Sequence, residues 1–114
     1  MTKLNTHLRK WIERISEEIE GIEDEGEVAE PGVNVVYYFP GRESLNGYYR
    51  LVSKEPIFKG KNGKMVTTQH LGDEYSLKAR EAIASVNRRK KIKVLEKLFA
   101  HMEKSLYELE SIDR

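Results

Sequence analysis

Residues 47–72, GYYRLVSKEPIFKGKNGKMVTTQHLG, decide the fold because they hold two strand-like runs joined by a hairpin signal. The runs, Tyr48–Ser53 and Met65–Leu71, are rich in the aromatic and β-branched residues that strands favour. Between them, Asn62-Gly63 is typical of a two-residue type I′ turn, which needs positive φ at both central positions. The segment therefore predicts an antiparallel hairpin.

A further strand precedes this hairpin in the chain. Most residues of Val33–Phe39 are β-branched or aromatic, and they follow the alternating pattern of a strand. Pro40-Gly41 ends this run. Strands that follow one another in the chain usually pair, and short connections favour antiparallel neighbours. We therefore predict a three-stranded antiparallel β-meander over residues 33–72.

Helices are predicted on both sides of the meander. Residues 3–22 form the first, residues 23–32 form an acidic linker, and residues 73–112 form a long second helix with Asp73 as its N-cap. The fold class is α+β: an N-terminal helix, a three-stranded antiparallel β-meander and a long C-terminal helix. We treat residues 1–114 as a single domain.

Both helices carry apolar residues at heptad-like spacing, which is typical of helix pairing. The seam positions are Leu8, Ile12, Ile15, Ile19 and Ile22 in the first helix, and Leu95, Leu98, Met102, Leu106, Leu109 and Ile112 in the second. These seams can pair within one chain or between two chains as a four-helix bundle. Because a chain of 114 residues buries only a modest core, we expect a homodimer.

The near-neutral net charge hides two opposed halves. Residues 1–30 carry four basic and nine acidic side chains, net −5, whereas residues 31–114 carry sixteen and ten, net +6. The chain has no cysteine, which excludes disulfides and thiolate-ligated zinc and fits a cytoplasmic protein. It has no signal-peptide core and no apolar run that could span a membrane.

The excess of basic residues in the middle of the chain indicates a polyanionic partner. We expect this partner to be nucleic acid, and duplex DNA in particular. A two-stranded ribbon that carries lysines fits a major groove, and the aromatic residues beside those lysines can stack on unpaired bases. The predicted nucleic-acid-binding residues form two groups. They are Arg88, Arg89, Lys90, Lys91 and Lys93 on the second helix, and Arg50, Lys61 and Lys64 on the hairpin.

Other interpretations of these residues stay open. The basic run could be a solvated helical face with ion pairs, and lysines on edge strands discourage aggregation. The chain could instead be a protein-interaction or assembly module whose paired helices dock a partner on the acidic patch Glu17–Glu30. We expect no enzymatic activity, no metal and no cofactor, because the chain has no P-loop, no H-E-x-x-H motif and no nucleophile elbow.

One pattern in the chain resembles a known group. Gly47-Tyr48-Tyr49-Arg50 is followed by Gly63-Lys64, by His70-Leu71-Gly72 and by a charged helix. This order is similar to that in small uncharacterised proteins of archaea and their viruses, and to a β-hairpin near the start of some transposases. The resemblance implies DNA association and a source among viruses or mobile elements. The chain departs from the pattern in its long spacer Ser53–Lys61, which contains Pro56.

Overall fold

The computed structural model describes residues 3–41 and 45–112 of the chain. In chain order the elements are α1 (Lys3–Glu25), β1 (Asn34–Tyr38), β2 (Tyr48–Val52), β3 (Phe58–Lys59), β4 (Met65–Val66), β5 (Thr68–Gly72) and α2 (Leu77–Ile112). The α+β class, with a helix at each end and antiparallel strands between them, is confirmed. None of the helices in these described ranges is long and apolar enough to cross a membrane.

Contacts within the chain divide it into two compact units. Met1–Glu27 and Lys90–Arg114 form one, which we call the helical unit. Val28–Arg89 forms the other, which we call the sheet unit. The long helix α2 therefore contributes its first third, up to Arg89, to the sheet unit and the rest, from Lys90, to the helical unit.

Helix α1 forms as its apolar spacing predicts, but it is longer than expected. It continues past Gly21 to Glu25 and ends before Gly26, so the predicted start of the linker at residue 23 is wrong. Ile15 and Ile22, both on the predicted seam, are buried. The other described seam positions of α1 are half-buried, which leaves part of the helix's apolar stripe accessible.

The main sheet has three strands in the order β1-β2-β5, antiparallel throughout. The predicted return strand 65–71 is wrong in one respect, because it is split into β4 and β5. β4 pairs with β3 as a separate two-stranded sheet. The amide of Ser53 donates to the carbonyl of Thr67 at 2.9 Å, so pairing continues from the β2–β5 ladder toward the β3–β4 hairpin. Residues 54–57 lie between this bond and the β3–β4 pairing as a bulge on one side. We call residues 53–67 the ribbon.

The turn of the ribbon lies at the predicted position but has a different geometry. Gly63 has φ of +74°, whereas no described residue other than glycine has positive φ, so Asn62 does not meet the type I′ requirement. The Gly63 amide donates to the Gly60 carbonyl at 3.1 Å, and the Gly60 amide to the Lys64 carbonyl at 2.7 Å. This is a three-residue loop in which Gly63 takes the left-handed position of a G1 bulge.

The start of α2 is set by Ser76 and not by Asp73, so the predicted N-cap is wrong. The Ser76 hydroxyl accepts a hydrogen bond from the Ala79 amide at 3.3 Å and donates to the Leu71 carbonyl at 2.7 Å. Asp73 instead accepts from the Tyr75 amide at 2.9 Å, in a turn that precedes the helix. The helix consequently begins at Leu77 and not at residue 73.

The basic run does not interrupt α2, which is continuous from Leu77 to Ile112. Ile92 is buried within it, although charged residues surround Ile92 in sequence. In the sheet unit the buried apolar side chains are Val33, Leu71, Ala79 and Val86. Leu71 lies where the β2–β5 register shifts, opposite the step from Tyr49 to Arg50, and is 3% exposed.

Candidate nucleic-acid interface

Arg50 is held on one face of the main sheet by its strand partners. In the β1–β2–β5 register, Arg50 lies opposite Val36 on one side and His70 on the other. Side chains alternate along a strand, so Tyr48, two residues before Arg50, shares its face. Tyr38 pairs with Tyr48 and so lies on the same face.

These side chains contact one another as a cluster of rings and one cation. The Arg50 guanidinium lies 4.8 Å from the centroid of the Tyr38 ring, a cation–π distance. The Tyr48 ring is 6.5 Å from the Tyr38 ring and 5.7 Å from the His70 ring. A hydrogen bond of 3.3 Å joins the Tyr38 hydroxyl to His70 Nδ1. We call these four residues the aromatic face; Arg50 and His70 are exposed and the two tyrosines are half-buried.

Sequence reasoning missed the part that Tyr38 and His70 have in this cluster. The alternation in Val33–Phe39 places Tyr38 on one face of its strand, but the register that brings it opposite Tyr48 depends on the connection between β1 and β2. His70 faces Arg50 in the register that the β2–β5 ladder keeps up to this pair, and the register shift comes beyond it, at Leu71. Tyr37 and Phe39, which are offset by one residue from Tyr38, make a second ring contact at 5.4 Å and are about half exposed.

The ribbon carries the second group of predicted residues, Lys61 and Lys64, at its turn. Both are exposed, as are Lys54 and Lys59. The segment 53–67 contains these four lysines and one acidic residue, Glu55, so its net charge is +3.

Local geometry at the turn fixes where the lysines lie. A Cβ on Gly60 would come within 2.8 Å of the Lys64 carbonyl oxygen, so only glycine allows the strands to approach this closely. Within the part of the chain that the structure describes, none of the four ammonium groups forms an ion pair or a hydrogen bond. The turn therefore presents unneutralised positive charge to solvent.

Arg89 occupies a different position from the other predicted cations of α2. One terminal nitrogen, Nη1, donates to the carbonyl of Glu30 at 2.6 Å and also to the carbonyl of Val33. The other, Nη2, donates to the Asn34 side chain at 3.0 Å. Arg89 thus joins α2 to the segment that leads into β1, and we leave it out of the proposed interface.

The remaining cations of the run lie along α2. Lys90, Lys91 and Lys93 are exposed, and Arg88 is half-buried and makes a polar or ring contact of its own. The structure therefore offers two groups of exposed cations, the ribbon lysines and the lysines of α2. Among the described residues, no group of three or more histidine, aspartate or glutamate side chains could hold a metal ion.

Comparison with known proteins identifies no relative of this chain. No protein-family model, curated protein or solved structure matches the chain.

Proposed function

We propose that this protein is a small, non-enzymatic nucleic-acid-binding protein whose ligand is duplex DNA. The observation that carries the proposal is the ribbon, where four exposed lysines lie without a carboxylate partner among the described residues. Nucleic acid is the polyanion for which such a surface is suited, because each neutralised phosphate releases condensed counterions.

The shape of the ribbon supports the same ligand. The major groove of B-DNA is about 12 Å wide and admits a two-stranded β-ribbon. Lys61 and Lys64 lie at the turn and would enter first, with Lys54 and Lys59 placed to reach the flanking phosphates. Arg50, on the strand that leads into the ribbon, adds an exposed cation that can contact a further phosphate.

The experiment that tests the proposal is a binding titration with labelled duplex DNA over a series of salt concentrations. If the four ribbon lysines each neutralise one phosphate, a log–log plot of affinity against salt has a slope of about −3.6. Single-stranded DNA and RNA of the same length serve as comparisons, since they have a shallower dependence of about −0.7 per contact. Absence of duplex binding at low salt would contradict the proposal.

We also propose that the protein is a homodimer that forms through the helical unit. In this unit Leu4 and Trp11 lie two turns apart on α1 and are 57% and 50% exposed, and on α2 Val94 and Leu98 are 64% and 42% exposed. Residues at i, i+4 and i+7 share one face of a helix, so these side chains form an apolar stripe on each helix. A second copy presents the same stripes and can cover them in a symmetric interface.

The dimer proposal predicts a mass twice the 13.3 kDa of the chain in light scattering at micromolar concentration. Leu98→Glu places a charge in the stripe at an already accessible position, so we expect it to give the monomer mass while circular dichroism stays unchanged. Lys97→Glu, at the exposed neighbouring position, is the matched control and should leave the dimer intact. A wild-type mass of 13.3 kDa would reject the dimer.

A further inference from the structure

The helical unit contains a groove that nucleic-acid binding does not explain. It lies between α1 and the second half of α2 and has a volume of about 720 Å³. Its apolar lining consists of Ile12, Phe99, Leu106 and Tyr107. Tyr107 is 67% exposed, so a large apolar surface is accessible from solvent at this position.

Acidic side chains surround this apolar surface. The lining includes five glutamates and a single cation, Arg9, so its formal charge is −4. Arg9 forms an ion pair with Glu110, one of the five. Within the described part of the chain, the other four glutamates form no ion pair. They are Glu13, Glu17, Glu20 and Glu103.

We propose that this groove binds a basic amphipathic helix of a partner protein. Leucine-like side chains on one face of such a helix would contact the apolar lining, and lysine or arginine residues beside them would face the glutamates. Apolar grooves between helices commonly bind amphipathic helices, which use anchors at i, i+3, i+4 and i+7. The complementary charge selects a basic helix over an acidic one and speeds its association.

The length of the groove sets the length of its ligand. The α1 residues that line it run from Arg9 to Glu20, which is about 17 Å at a rise of 1.5 Å per residue. A helix of about 12 to 14 residues, or three to four turns, covers this distance.

The chain's own basic run does not meet these requirements. In Arg88–Lys93 the single apolar residue is Ile92, and Ile92 is 8% exposed. A second copy therefore cannot place that side chain in the groove while keeping its fold. The proposal does not depend on nucleic-acid binding, since the groove and the ribbon belong to different units.

The test uses a fluorescent peptide of about 14 residues, with leucine at i, i+3, i+4 and i+7 and lysine elsewhere, and the full-length protein. Fluorescence anisotropy should show saturable binding, and circular dichroism should show helix formation in the peptide. The same peptide with glutamate in place of each lysine should not bind. Replacing Glu13, Glu17 and Glu20 together by glutamine should weaken binding by about tenfold or more.

A control variant separates the groove from general attraction between opposite charges. Glu18→Gln, Glu23→Gln and Asp24→Asn remove the same charge from α1 outside the groove, so they should leave the affinity nearly unchanged. An equal loss in both variants, or no binding of the lysine peptide at low salt, would overturn the proposal. Peptide binding that appears only when the protein's own dimer dissociates would assign the groove to a second copy and would also overturn the proposal. The variant in which Glu13, Glu17 and Glu20 are replaced by glutamine should keep its affinity for duplex DNA. Failure of the groove proposal can therefore be distinguished from failure of the proposed function.

Discussion

Replacing Arg89 by alanine should lower the free energy of unfolding by about 3 kcal/mol, although the residue belongs to a run of surface cations. Its guanidinium donates to the carbonyls of Glu30 and Val33 and to the side chain of Asn34. Hydrogen bonds from a charged donor contribute more than neutral ones, and truncation leaves the part-buried Val33 carbonyl without this donor. Urea denaturation followed by circular dichroism measures the change.

Two further variants show whether this geometry is the cause. Arg89→Lys keeps the charge but cannot direct two nitrogens to three acceptors, so we expect it to recover less than half of the loss. Lys90→Ala, at the adjacent exposed position, should change the stability by no more than about 0.5 kcal/mol. If Arg89→Ala and Lys90→Ala were equally mild, the role assigned to Arg89 would be wrong.

Replacing Lys59, Lys61 and Lys64 together by glutamine should reduce affinity for duplex DNA by more than about tenfold at moderate salt. Three lost phosphate contacts also make the salt dependence shallower, by about 2.7 in the log–log slope. Glutamine keeps most of the side-chain length, and the three positions are exposed, so the fold should be retained. A salt series on the variant beside the wild type gives both numbers.

The matched control for this variant removes the same charge from α2. Lys90, Lys91 and Lys93 are also exposed, and their replacement by glutamine changes the net charge equally. We expect a smaller loss of affinity than in the ribbon variant. A larger loss of affinity in the α2 variant would assign the interface to α2 instead of the ribbon. Equal losses in the two variants would indicate attraction to net charge without a defined interface.

The elements of this fold follow from the sequence where a repeating pattern extends over many residues. The apolar spacing of α1, the alternation in β1 and β2 and the absence of proline and glycine after Gly72 predict what the structure has. Element ends were less predictable because they depend on single hydrogen bonds. Asp73 and Ser76 are both good N-cap residues, and the bond from Ser76 to the Leu71 carbonyl decides between them.

The candidate site was predictable in its residue types but not in its arrangement. Arg88, Arg89 and Lys90 are three consecutive positive charges, and the sequence alone does not distinguish their roles. The burial of Ile92 and the position of the segment before β1 decide which of them faces solvent and which makes contacts within the chain. The groove was even harder to predict from the sequence, because its acidic and apolar residues come from helices that are far apart in the chain.

The three-residue turn of the ribbon has an electrostatic consequence. A two-residue turn at Asn62-Gly63 would place Lys61 directly across from Lys64, and like charges on opposed strand positions repel. The G1 bulge shifts the pairing, so that Lys64 lies opposite Gly60 and Lys59 opposite Met65. One additional residue in the loop therefore lets the ribbon concentrate lysines at its end without setting any two of them against each other across the strands.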